Sequence, residues 1–159
     1  MADDPSEAGR PRTHDVTRIY DDGRLQVEWD ATRCIHTAIC LNALPAVFDV
    51  HARPWVDLEA GEPEEIAATI RACPTGALRY AGPAVQPEEP DEPTTVEVRP
   101  NGPLFLRGRF LVQGPGGVGA GREETRLALC RCGASENKPY CDNSHRLIEF
   151  RAPGLPATP

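Results

Sequence analysis

The sequence of 159 residues contains no apolar run long enough to cross a lipid bilayer. Its first residues are acidic, whereas a secretory signal peptide begins with basic residues that precede an apolar segment. Aromatic residues are scarce, at 6% of the chain, and hydrophobic residues of all kinds make up 40%. These shortages predict a soluble, cytoplasmic protein that has no membrane segment and is divided into small domains with small apolar cores.

Basic stretches are scarce as well. The net charge is -7, and no dense stripe of Lys and Arg is interleaved with aromatic residues, so we expect no binding to nucleic acid. The charge is unevenly distributed: up to Thr95 there are 18 acidic and 8 basic residues, and after it 6 acidic and 9 basic residues. An acidic first half favours docking to a basic surface on a protein partner, although a simply solvated surface would carry the same excess.

A set of catalytic side chains is also missing. No nucleophile stands in a pattern that places it beside a base and an orienting group, so we predict an electron-transfer protein rather than an enzyme. Gly114–Gly119 formally matches the glycine-rich dinucleotide motif, but it contains Pro115 and no helix of a βαβ unit follows. It predicts a hairpin loop between two strand-like segments, Leu104–Val112 and Thr125–Leu129.

What the sequence does contain is six cysteines, divided three and three between two regions. In a chain without a signal peptide, this division favours metal ligands over disulfides. Cys130 and Cys132 end a strand-like segment, so their thiols point to one face and can bind one metal ion. Cys141 and His145 are four residues apart on a short helical turn, which we expect Asp142 to cap, and this pair can bind a second ion.

Two kinds of metal site use such a set. A single zinc ion would brace a small domain, but zinc sites more often contain Cys-x2-Cys pairs than Cys-x-Cys followed by Cys-x3-His. An iron-sulfur cluster uses thiolates and, in some proteins, imidazole. The spacing favours the cluster.

The stretch from Cys130 to His145 resembles the signature of the CDGSH (mitoNEET-like) iron-sulfur family, Cys-x-Cys-x2-Ser/Thr-x3-Pro-x-Cys-Asp-Gly-Ser/Ala/Thr-His. Every spacing matches, and one residue differs: Asn143 replaces glycine, and asparagine adopts left-handed backbone conformations more readily than most residues. The resemblance covers residues 94–150. It implies a 2Fe-2S cluster with the ligands Cys130, Cys132, Cys141 and His145. It also implies a homodimer built through the β-rich region, unless the first domain of this chain covers that surface.

The other three cysteines predict a second site. Cys34 and Cys40 lie close together, and Cys73 is followed by proline, as is the last ligand in bacterial ferredoxins. Residues 17–80 resemble divergent single-cluster ferredoxin domains, and this resemblance implies Cys34, Cys40 and Cys73 as cluster ligands. Thr37 occupies the position of the middle thiolate, which is missing.

Three thiolates suffice for a 3Fe-4S cluster, and they hold a 4Fe-4S cluster if His36 or an exogenous group completes the fourth iron. His36 is one residue away from the ordinary ligand position, so we favour the 3Fe-4S cluster. The other interpretation of His36 is a donor that forms a hydrogen bond with a cluster sulfide and tunes the reduction potential.

The predicted fold class is α+β, with a ferredoxin-like N-terminal domain over residues 16–80 and a small β-rich CDGSH domain over residues 96–151. The acidic, proline-rich residues 81–95 are predicted to form an extended linker that has almost nothing to bury. Residues 1–15 and 152–159 are predicted to be disordered tails.

Within the first domain, we expect the order strand, strand, helix, strand pair, helix, strand. The turn residues Asp21–Gly23 predict a hairpin, and a short helix is expected to follow Cys40. Pro63 and the acidic residues after it predict the start of the second helix, with Ile66 and Ile70 on its apolar face.

These observations lead to three hypotheses. The first is a two-cluster carrier of single electrons between redox protein partners, a reductase and an acceptor. The second is a module that delivers its 2Fe-2S cluster to apo-protein acceptors, or senses acid or oxidant, because the His145 ligand makes that cluster labile. The third is a zinc-stabilised interaction protein, which would be colourless when purified.

Overall fold

A computed structural model describes residues 17–113 and 123–155 of the chain. It confirms the α+β class and the two-domain organisation. The elements in chain order are β1 (Thr17–Asp21), β2 (Gln26–Asp30), α1 (Ile39–Ala43), a 3-10 turn (Leu58–Ala60), α2 (Pro63–Ala72), β3 (Leu78–Ala81), β4 (Thr95–Val98), β5 (Leu104–Leu111), β6 (Glu123–Leu129) and α3 (Ser144–Leu147). None of the helices in these ranges has the length and apolar character that crossing a membrane requires. The predicted tail 1–15 and the predicted loop Gly114–Gly119 lie outside the described residues.

The first sheet has the antiparallel order β1-β2-β3. The predicted hairpin is present, and its turn is held by the Asp22 carboxylate, which accepts hydrogen bonds from the backbone N–H groups of Arg24 and Leu25 at 2.9 Å each. The predicted strand pair between the helices is wrong, because only a single bridge, Phe48 to Val56, forms there. Pro54 lacks the N–H that a longer ladder would use.

The core of the first domain forms between the sheet and α2. As predicted, α2 begins at Pro63, and its apolar face buries Ile66 and Ile70 completely. These side chains belong to the same buried cluster as Val27 and Phe48. Burial of one such apolar side chain stabilises the fold by about 1.5–3 kcal/mol. Trp29 and Trp55 are partly buried against this cluster, with their ring centroids 5.1 Å apart.

The second sheet has the antiparallel order β4-β5-β6. A bulge interrupts β5 after Arg107, and Gly108 lies there at a φ of 140°, so close to Thr94 that a Cβ atom would be 2.3 Å from the Thr94 hydroxyl oxygen. The core beside this sheet is small. Its buried members are Ala128, Cys141 and Ile35, the last of which belongs to the first domain. The second domain is therefore completed by packing against the first.

The segment between the two sheets is docked rather than free, which corrects the prediction of an extended linker with almost nothing to bury. The Ala84 N–H donates to the carbonyl oxygen of Arg24 at 3.2 Å, and Val85 packs against the core of the first domain. The first residue of the predicted C-terminal tail, Ala152, is also held in place. Its backbone N–H and carbonyl both bond to Asn101, at 2.9 and 2.7 Å.

Arg126 of β6 joins the two domains. Its side chain is only 2% exposed. The guanidinium donates hydrogen bonds to the carbonyl oxygens of Ile70, of Cys73 at 2.8 Å and of Leu78 at 3.0 Å. It also bonds both carboxylate oxygens of Glu88, at 2.8 and 2.9 Å, so the segment between the domains closes over it.

Arg33 forms a second buried connection in the opposite direction. From the first domain it donates to Glu124 of β6 at 2.9 Å and to the carbonyl oxygens of Thr75 at 2.9 Å and Arg126 at 3.2 Å. Its guanidinium also lies 4.5 Å from the ring centroid of Tyr140, a cation–π arrangement. Because Arg33 donates to the backbone carbonyl of Arg126, the two buried arginines meet at the same interface. The domains therefore form one packed body.

Candidate metal centres

The first pair of predicted ligands in the second domain lies at the end of β6. Cys130 and Cys132 are two residues apart, and their sulfur atoms are 3.8 Å apart. Two thiolates that bind one tetrahedral metal at a bond length of ~2.3 Å are separated by about 3.8 Å. The strand therefore presents these two thiols at the spacing that one shared metal ion requires.

The second pair lies at the start of α3. The Cys141 sulfur is 3.6 Å from His145 Nδ1, again about the separation of a thiolate and an imidazole that share one metal. Asn143, not the predicted Asp142, is the residue before the helix, and its φ of 72° confirms the predicted left-handed conformation. Asp142 stabilises the turn before the helix, because its carboxylate accepts a hydrogen bond from the Ser144 N–H at 2.9 Å.

The loop between the two pairs is held by its own hydrogen bonds. The Ser135 hydroxyl donates to the Tyr140 carbonyl at 2.7 Å and accepts the Asn137 N–H at 3.0 Å. The Asp142 carboxylate accepts the Glu136 N–H at 2.9 Å. The Cys141 N–H donates to the Ala128 carbonyl of β6 at 2.8 Å. These bonds hold the second ligand pair beside the first.

The electrostatics of this site favour the thiolate at Cys130 and disfavour it at the buried Cys141. Burial raises the pKa of Cys130, but the backbone N–H groups of Ser135 and Gly133 outweigh it and leave that pKa below the ordinary value. Burial raises the pKa of Cys141. For His145, burial and the Arg146 charge lower the pKa, so the neutral imidazole that binds metal is favoured. His145 is only partly buried, as are Cys130 and Cys132.

The three cysteines of the first domain line one cavity of about 280 Å³. Each comes from a different element: Cys34 follows β2, Cys40 lies in α1, and Cys73 ends α2. The cavity is mainly apolar, with Trp29 and Trp55 in its wall. The fold thus brings Cys73, which is distant in the sequence, to the same cavity as Cys34 and Cys40.

These thiols differ in how readily they ionise. Burial raises the pKa of Cys34, and it raises that of Cys40 to about 11. Burial also raises the pKa of Cys73, but hydrogen bonds from the Thr75 hydroxyl and backbone N–H, together with the charge of Arg126, outweigh it and bring that pKa below the ordinary value. Arg126 belongs to the second domain, so one domain contributes a positive charge to the site of the other.

Two indole groups show that the cavity suits an iron-sulfur cluster. Within the described ranges, the buried N–H groups of Trp29 and Trp55 have no hydrogen-bond acceptor among nitrogen and oxygen atoms. The Trp29 N–H faces the Cys34 sulfur, which becomes a good acceptor only as a thiolate. A cluster held by Cys34, Cys40 and Cys73 would supply sulfur acceptors to these donors, so the residues present fit such a group.

His36 lies beside a predicted ligand rather than across the cavity from it. Its Nδ1 is 3.8 Å from the Cys34 sulfur, close to the separation of two ligands on one metal. Ligands of a cubane cluster each bind a different iron and lie farther apart. This placement favours the interpretation of His36 as a donor near the cluster. Thr37 is exposed and lines the cavity, at the position of the missing thiolate.

Sequence reasoning missed the buried arginines, Arg33 and Arg126, and the side chain of Asn143. One signal was available for Arg126. Arg126 and Ala128 are alternate residues of β6, and Cys130 is the next alternate position, just after the strand ends, so a charge is in line with a small buried residue and a ligand. For Arg33 and Asn143, no local pattern distinguishes them from exposed residues.

Comparisons with known families match both sites. Residues 20–83 match the family model described as "Divergent 4Fe-4S mono-cluster", and residues 101–146 match the one described as "Iron-binding zinc finger CDGSH type". Among curated proteins, the chain is similar to the "Uncharacterized protein YjdI" of Escherichia coli strain K12 and to the protein of the same name from Escherichia coli O157:H7. Each is 25% identical over 63 residues, which is 40% of this chain and 83% of the relative.

Proposed function

We propose that this chain, which joins a divergent 4Fe-4S mono-cluster domain to a CDGSH-type iron-binding domain, is a one-electron carrier between a reductase and an acceptor protein. One observation carries this proposal: the two ligand sets are packed against each other. Ile35, which directly follows Cys34, is buried in the same cluster as Cys141. A protein built only to store or brace one metal would not need this contact.

The second site is proposed to bind a 2Fe-2S cluster through Cys130, Cys132, Cys141 and His145. Two ligand pairs, each at the spacing of one metal, support two irons rather than one. An imidazole ligand carries less negative charge than a thiolate and raises the reduction potential of such a cluster.

The first site is proposed to bind a 3Fe-4S cluster through Cys34, Cys40 and Cys73, or a 4Fe-4S cluster when a fourth ligand is recruited. The absence of a thiolate at Thr37 and the position of His36 beside Cys34 support the three-iron form. Two unlike clusters have different potentials, so an electron moves in one preferred direction between them. The chemistry at either end belongs to the partner enzymes.

Electron paramagnetic resonance of anaerobically purified protein tests the proposal, together with iron and zinc analysis. We expect a near-isotropic signal from the oxidised 3Fe-4S cluster and a rhombic signal from the 2Fe-2S cluster after dithionite reduction. A silent oxidised sample with two signals on reduction would indicate a 4Fe-4S cluster instead. Zinc without iron would overturn the electron-carrier function.

The alternative function is cluster delivery or sensing, and the surroundings of His145 favour it as the second candidate. Leu147, two residues after His145, is 86% exposed, and Ile148 is exposed as well. An exposed apolar pair beside the partly buried His145 ligand suits contact with an apo-protein acceptor. In this function the 2Fe-2S cluster leaves the protein when His145 is released.

Replacing His145 with cysteine distinguishes the two functions. Because a thiolate is not displaced as readily as an imidazole, we expect His145→Cys to lose its visible absorbance more slowly at mildly acid pH and to stop cluster transfer to an apo-ferredoxin. The matched control is His51→Ala, which changes an exposed histidine away from both sites and should leave both rates unaltered. Delivery gains support if transfer stops while reduction by a reductase persists, and it is contradicted if His145→Cys transfers its cluster at the wild-type rate.

A further inference from the structure

We propose that Asn143 couples the two metal centres, because its side chain holds the ligand loop of the first centre against the ligand loop of the second. This inference rests on the proposed electron-carrier function and assigns a positioning residue to it. Asn143 is also the one residue that differs from the CDGSH signature.

The contacts of Asn143 reach both sites. Its Nδ2 donates a hydrogen bond of 2.7 Å to the carbonyl oxygen of Ile35, the residue between Cys34 and His36. Its backbone N–H points at the sulfur of Cys141, at 3.5 Å. One residue therefore touches a predicted ligand sulfur of the second centre and the peptide next to a predicted ligand of the first.

This contact is partly shielded from water. Asn143 is half-buried, and the Ile35 side chain is 6% exposed and belongs to the buried cluster with Ala128 and Cys141. A hydrogen bond that is partly shielded from water is stronger than one at the surface. One continuous connection between the two ligand sets therefore consists of one peptide, one hydrogen bond and one side chain.

The conformation of Asn143 indicates that its side chain is needed. A φ of 72° is easier for glycine than for any other residue, and a left-handed residue with a Cβ is less favourable. The Asn143 Oδ1 atom is moreover buried without a hydrogen-bond partner among the described residues. Both features are unfavourable, and the bond to Ile35 is the interaction that offsets them.

The reaction that Asn143 supports is the passage of one electron from one centre to the other. No bond forms or breaks and no atom leaves. The electron originates from the reductase of the proposed function and departs to the acceptor. Asn143 keeps the two loops in contact, so the centres spend most of their time in the arrangement that permits the transfer.

Two variants remove the donor and keep the ligands. Asn143→Gly suits the left-handed backbone, and Asn143→Asp keeps the shape of the side chain but turns an acceptor towards the Ile35 carbonyl. Asn101→Gly is the matched control, because Asn101 also has a left-handed backbone, with a φ of 54°, and its side chain accepts a hydrogen bond of 2.9 Å from the Ala152 N–H, away from the ligand residues.

The experiment uses the full chain with both clusters and a substoichiometric amount of dithionite, followed by freeze-quench electron paramagnetic resonance. In the wild type, we expect the signal of one centre to appear and then pass to the other. In both Asn143 variants this transfer should slow by about tenfold, the change expected when a hydrogen bond of ordinary strength no longer favours the contact. The magnetic interaction between the two centres should weaken in parallel, and Asn101→Gly should change neither the transfer rate nor this interaction.

The outcomes separate this inference from the proposed function. If the Asn143 variants carry both clusters and transfer electrons at the wild-type rate, the role of Asn143 is overturned while the carrier function stands. If the wild type holds two clusters between which no electron passes, the inference is likewise overturned. If the wild type holds no iron, both fail. If Asn143→Gly loses the 2Fe-2S cluster, the transfer rate in Asn143→Asp decides whether Asn143 has this role.

Discussion

Replacing Arg126 with alanine should lower the free energy of unfolding by about 3–5 kcal/mol, the effect of removing one partner from a buried ion pair. Three carbonyl oxygens, those of Ile70, Cys73 and Leu78, lose their donor, and the Glu88 carboxylate is left beside an apolar gap. Each buried polar group without a partner is unfavourable by about 1–3 kcal/mol. The measurement is the urea midpoint of the anaerobic, cluster-loaded protein, followed by tryptophan fluorescence.

Arg109→Ala is the matched control, since it removes the same side chain from an exposed pair. Arg109 and Glu123 are 2.5 Å apart but 58% and 51% exposed, so solvent already screens them. We expect a change below ~1 kcal/mol. Equal effects of the two substitutions would contradict the role of Arg126. A second readout is the potential of the first centre, which should become more negative when the nearby Arg126 charge is removed.

Replacing Thr37 with cysteine should convert the first centre to a 4Fe-4S cluster. Thr37 lies between Cys34 and Cys40, lines the cavity that they share and is exposed to solvent. A fourth thiolate completes the ligand set of a 4Fe-4S cluster. We expect the oxidised-state signal of the 3Fe-4S cluster to disappear and a reduced-state 4Fe-4S signal to replace it in full, with a matching rise in iron content.

Thr37→Ser is the control for that experiment, because serine keeps a hydroxyl at this position and adds no thiolate. It should retain the oxidised-state signal. The assignment of Thr37 to the missing ligand position is wrong if Thr37→Cys and Thr37→Ser give the same spectra. The wild-type spectrum in the same experiment also tests His36. A wild-type protein that already shows a 4Fe-4S signal would have recruited a fourth ligand, for which His36 is a candidate.

The sequence by itself determined the elements whose cause is local. The turn residues at Asp22 specify the first hairpin, and the proline and acidic residues from Pro63 specify the start of α2. The short spacing of Cys130 and Cys132 directly after β6, and of Cys141 and His145 across the start of α3, specifies each ligand pair. These features follow from backbone geometry over a few residues, so the spacing in the chain is also the spacing in space.

The tertiary structure alone decided how the two domains combine. Arg126 meets Glu88 from a distance of 38 residues along the chain, and Asn143 meets Ile35 from 108. Nothing nearby in the sequence marks a residue for such a contact, because burial of an arginine or an asparagine depends on partners supplied by distant elements. For the same reason, the proline-rich segment with Glu88 looked like a free linker. The Glu88 carboxylate gains its ion-pair partner only because the fold brings the buried Arg126 guanidinium to it.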